Sequence, residues 1–62
     1  MNWYAVYYSA DNELAKLVID IDPRDFVKSL LNNMDIATAI ENLVCIEVVD
    51  ENGKVWYTIR VR

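Results

Sequence analysis

The sequence predicts an α+β domain in which two β-hairpins flank a helical segment, giving a four-stranded antiparallel sheet with helices on one face. Three observations lead there. Aromatic and β-branched runs stand near both ends of the chain, an Asn-Gly pair interrupts the second of them, and the middle carries apolar residues at helical spacing behind an Asp-Pro start. The helical segment reads either as one kinked helix or as two, so the element order is ββαββ or ββααββ. With 62 residues the chain makes one domain, 1–62, since a further division would leave neither part a core.

The first strand is Trp3-Tyr4-Ala5-Val6-Tyr7-Tyr8, and polar residues Ser9 to Glu13 separate it from the second apolar stretch, Leu14 to Ile21. A turn centred on Asp11-Asn12 places Val6 opposite Leu17 and Tyr4 opposite Ile19. Tyr4, Val6, Tyr8, Leu17, Ile19 and Ile21 then share the core face, leaving Trp3, Ala5, Tyr7, Lys16, Val18 and Asp20 on the outer one.

The helical segment opens at Asp22-Pro23-Arg24-Asp25, where Asp22 suits the cap, Pro23 the first helical position and Asp25 the acid-favouring first turn. Phe26, Val27, Leu30, Leu31 and Met34 form an apolar stripe. Ile36, Ala39, Ile40 and Leu43 continue it on a different phase, so a break is expected at Asn32-Asn33 and a second helix from Asp35 to Asn42.

In the C-terminal hairpin, Val44 to Val49 and Val55 to Val61 flank Asp50-Glu51-Asn52-Gly53-Lys54. Asn-Gly is a strong hairpin signal. Pairing Glu51 with Lys54 sets Val48 opposite Tyr57, Ile46 opposite Ile59 and Val44 opposite Val61, a continuous apolar face that a one-residue slip would scatter. Leu43, Cys45, Glu47, Val49, Trp56, Thr58, Arg60 and Arg62 fall on the outer face.

Composition excludes much chemistry. With no histidine, Ser-His and Cys-His pairs and the commonest zinc ligands are missing, and the single cysteine allows no internal disulfide. Gly53 is the one glycine, so there is no glycine-rich phosphate cradle. Asp20, Asp22 and Asp25 are close in sequence, but a capped helix start accounts for them and the spacing matches no Ca²⁺ loop. Cys45, opposite Arg60, is read as small apolar filler rather than as a reactive thiol. No enzyme activity, metal or cofactor is expected. The net charge of −4 argues against phosphate-backbone binding, no stretch reaches the length of a membrane span, and a lone thiol without a targeting segment makes the cytoplasm the expected location.

Aromatic residues are in excess. Trp3, Tyr7 and Trp56 on the expected outer face, with Val18, Val49 and Arg60 around them, make a partner-binding or dimer face of about 440 Å². Acidic residues at its edge (Asp11, Glu13, Asp20, Glu47 and Glu51) suit a basic partner. The function expected is that of a small acidic, non-catalytic protein-binding module, a regulator or inhibitor of a larger partner. In its sharpest form this is a mobile-element inhibitor of a nucleic-acid-binding machine. Partners are another protein, a second copy in a homodimer, or both. Two alternatives stand beside it: a single-stranded nucleic-acid binder using the aromatic face, and a structural homo-oligomer.

Overall fold

In the computed structural model, which covers residues 1–62, the chain runs β1 (Trp3–Tyr8), β2 (Glu13–Ile19), α1 (Pro23–Asn32), α2 (Met34–Ala39), β3 (Cys45–Asp50) and β4 (Val55–Arg60). The fold is the expected α+β arrangement with two helices. All neighbouring strands are antiparallel, in the order β2-β1-β3-β4, so the hairpins meet through β1 and β3 while β2 and β4 form the edges.

The helices begin and end for local reasons. Asp22 Oδ1 accepts the Arg24 N–H at 2.8 Å, Pro23 takes the first helical position, and Asp25 lies in the first turn. Asn33 makes the break between the helices: its backbone N–H donates to the Leu30 carbonyl and its side-chain Nδ2 to the Ser29 carbonyl at 2.7 Å. Helix α2 stops at Ala39, three residues short of the expected Asn42. Ile40 is already extended, and Asn42 adopts a left-handed φ of 68°, which Asn tolerates better than most residues. That kink turns Leu43 into the core, where it is 0 % exposed. The placing of Leu43 on the outer sheet face is thereby corrected. Arg62, also expected on the outer face, instead donates to the carbonyls of Thr38 (2.7 Å), Ile40 (3.2 Å) and Leu43. It thus satisfies acceptors that the end of a helix leaves free.

In the second hairpin the expected pairs Val48–Tyr57, Ile46–Ile59 and Cys45–Arg60 are formed. The turn closes on Asp50 and Lys54 rather than on Glu51 and Lys54, with Gly53 at φ 80°. The Asp50 carboxylate accepts the N–H groups of Asn52 and Lys54 at 2.9 and 3.0 Å. Because Val49 then pairs with Val55 while Val48 pairs with Tyr57, Trp56 is an extra residue in a β-bulge.

The first hairpin departs by one residue. Its turn runs from Ser9 to Asn12, with the Ser9 N–H donating to the Asn12 carbonyl and the Ser9 hydroxyl accepting the Asn12 N–H at 3.0 Å. Serine in this role pulls the turn back toward β1. A bulge at Leu14 then restores part of the shift, and the ladder settles with Trp3 opposite Ile19, Tyr4 opposite Val18, Ala5 opposite Leu17 and Val6 opposite Lys16. A slip of one residue exchanges the faces of a strand. Trp3, Ala5 and Tyr7 therefore face the helices, and Tyr4, Val6 and Tyr8 face away, the reverse of the expectation for β1.

The core lies between sheet and helices. Ala5, Ile19, Ala37, Leu43, Ile46, Val48 and Ile59 are buried together, with Phe26, Val27, Leu30 and Met34 of the helices packed against them.

Candidate interaction surfaces

Strand register divides the sheet into two faces of different character. The open face reads across β2-β1-β3-β4 as three rows: Glu13-Tyr8-Cys45-Arg60, Lys16-Val6-Glu47-Thr58 and Val18-Tyr4-Val49-Val55. Its first two rows carry charge at the edges and in the middle, and only the third is wholly apolar. Lys16 Nζ stands 4.9 Å from the centre of the Tyr4 ring, a cation–π contact that covers one face of that aromatic. The Tyr8 phenol is held above the usual tyrosine range by burial first and then by the neighbouring Glu47 carboxylate. Val6 and Val49 are buried on this side by their neighbours within the sheet.

Of the six residues expected to form the binding face, Val18, Val49 and Arg60 lie on the open face. Trp3 and Tyr7 lie on the helix side, for the register reason given above. Trp56 joins them because the bulge turns its ring toward Trp3, 5.5 Å away and edge-on at 72°. Its indole N–H donates to Asp50 at 2.9 Å, and Lys54 Nζ sits 4.5 Å from the ring centre. Trp56 thus clamps the end of the second hairpin, and its bond is the largest cause of the lowered Asp50 pKa.

The acidic residues form no single edge. Asp11 and Glu13 lie at the β1–β2 turn, while Asp20 and Glu51 lie near the opposite end of the sheet and Glu47 in its middle row. The Glu51 carboxylate accepts the Asn2 N–H at 3.1 Å. No group of three or more Cys, Asp or Glu side chains converges as a metal site would require.

Two recesses lined mainly by apolar side chains lie on the helix side, one of them beside β2. One, of about 300 Å³, is lined by Tyr7, Leu14, Ala15, Leu17, Ile40 and Leu43. A second, of about 370 Å³, lies where α1 and α2 meet the sheet and includes Phe26, Leu30 and Ile36. Tyr7 and Ile40 line both, so the two clefts meet. Burial raises the Tyr7 phenol above its ordinary range. Around the clefts Leu14, Leu17, Ile36 and Ile40 stay exposed, Ile36 to 62 %. The bulge creates part of this surface by putting Leu14 on the same side as Ala15.

Sequence reasoning passed over these residues because it looked for aromatics on one face. The signal was the uninterrupted Leu17-Val18-Ile19, which makes both sides of a strand apolar. That pattern belongs to a central strand or to an edge strand with a partner, and here the strand is at an edge. No known protein family, curated protein or solved structure matches the chain.

Proposed function

We propose that this chain is a non-catalytic protein-binding module, a regulator or inhibitor of a larger partner, which docks through the apolar margin beside β2. The observation that carries the reading is the pair of clefts meeting at Tyr7 and Ile40 with Leu14, Leu17 and Ile36 exposed around them. Contiguous apolar surface of this kind is a mark of interaction sites. The net charge of −4 favours a partner whose apolar side chains, set in a basic surface, enter these clefts. A nucleic-acid partner finds less support, because Lys16 already covers Tyr4 and the Glu47 carboxylate adjoins Tyr8 on the open face. Both features obstruct base stacking.

The test is capture from a host lysate with tagged wild type, Leu17→Lys and Val55→Lys, read by quantitative mass spectrometry, with the fold of each checked by circular dichroism. A protein held by wild type and Val55→Lys and lost by Leu17→Lys identifies the partner. Equal retention by all three overturns the reading.

A further inference from the structure

β2 has one neighbour, β1, so along its outer side the backbone N–H and C=O groups have no ladder partner. The two edges of this sheet are treated differently. Each edge strand has a bulge near its turn, at Leu14 in β2 and at Trp56 in β4, but beyond it β4 exposes the polar Thr58 and Arg60 on the open face. β2 between Lys16 and Ile19 has no bulge, proline or glycine. From Leu17 to Ile19 its side chains are apolar on both faces, with Leu17 55 % exposed toward the helix side and Val18 63 % exposed on the open side. A partner lying on one face of the sheet covers one of these. A strand laid alongside covers both.

The geometry points to a second copy of this chain as that strand, paired antiparallel through β2 about a two-fold axis at Val18. The last four residues of β2, Lys16-Leu17-Val18-Ile19, with Asp20 directly after the strand, are complementary to their own reverse. In this register Val18 meets the partner's Val18, Leu17 meets the partner's Ile19, and Lys16 meets the partner's Asp20, twice by symmetry. Moving the axis to Leu17 places Lys16 against the partner's Val18 and loses both ion pairs. Moving it to Lys16 sets two ammonium groups face to face. The product is a continuous eight-stranded sheet with both helical layers on the same side, so the apolar clefts flank the two-fold. This inference rests on the binding-module reading and names its first partner.

The test is the solution mass of the full chain by analytical ultracentrifugation across a concentration series up to about 100 µM. Wild type is expected at twice the chain mass of 7.2 kDa. Asp20→Lys opposes lysines at both ends of the ladder and is expected to weaken the dimer by roughly tenfold or more, and Lys16→Asp/Asp20→Lys to restore it. In a Cys45→Ser background, Val18→Cys is expected to oxidise to a covalent dimer, while Val55→Cys on the other edge forms no covalent dimer. A monomeric wild type overturns the inference, as does a dimer indifferent to charge reversal or one cross-linked through Val55→Cys alone. A monomer that still captures a host protein in a Leu17-dependent way overturns only the self-pairing. A β2-paired dimer with no such host protein keeps the pairing and removes the regulator.

Discussion

The two hairpins have the same number of strands and each carries one bulge, yet they meet solvent in opposite ways. In the C-terminal hairpin the bulge at Trp56 ties a side chain down: the indole turns onto Trp3, bonds Asp50 and lies beneath Lys54. In the N-terminal hairpin the bulge at Leu14 leaves one free, since it adds a second apolar side chain beside Ala15 on a strand that is buried only at Ile19. The same backbone device pins its side chain in one hairpin and leaves it exposed in the other. What decides is the side chain it re-aims.

The largest effect expected from pressing on this contrast is in the C-terminal hairpin. Val48 is wholly buried, and Val48→Asp places an unpaired charge there. The variant is expected to be unfolded at 25 °C by circular dichroism, because a core this small supplies only about 3–5 kcal/mol. Next is Ala5, 1 % exposed under the helices. Ala5→Leu is expected to cost about 1–3 kcal/mol through overpacking, measured by urea denaturation. Were Ala5 on the open face, the substitution would be nearly neutral. Leu17→Lys is smaller still. Although Leu17 is directly opposite Ala5, it is more than half exposed in the single chain, and the stability of the variant monomer, measured at a concentration too low for pairing, is expected within about 0.5 kcal/mol of wild type. A loss approaching that of Val48→Asp would place Leu17 in the core and undo the cleft.

The smallest effect is electrostatic. Trp56 and the backbone N–H groups of Lys54 and Asn52 lower the Asp50 pKa, so its folded form holds a proton less tightly than the unfolded chain does. Stability from this group is present above the ordinary carboxylate range and is lost as pH falls through the lowered value. In Trp56→Phe, thermal scans at neutral pH and near pH 2 are expected to differ less than in wild type. An unchanged difference would mean that the indole N–H does not hold the carboxylate.

Much of this molecule is legible in its residues. Asp22-Pro23 starts a helix because a carboxylate and a ring without an N–H suit that position wherever it occurs. Asn52-Gly53 makes the second hairpin because Gly53 supplies the positive φ, and the apolar alternation of Ile46, Val48, Tyr57 and Ile59 holds the register through the turn's own irregularity. Asn33 breaks the helix through bonds to residues three and four positions away. All of these are local, and local chemistry can be read from neighbours.

Only the tertiary structure decided the rest. β1 has large side chains on both faces, Trp3 and Tyr7 on one and Tyr4 and Tyr8 on the other, so hydrophobicity could not choose between them. The choice fell to space: the small Ala5 lies beneath the helical layer at the centre of the core, and the Ser9 turn with the Leu14 bulge sets the strand accordingly. Leu43 and Arg62 likewise took their places from the chain's path after α2, where a side chain far along the sequence reaches carbonyls the helix leaves open. Which strands lie at the edges is a fact about the assembled sheet. The sequence determined that Leu17, Val18 and Ile19 form one apolar run; the strand order made that run an unpaired edge.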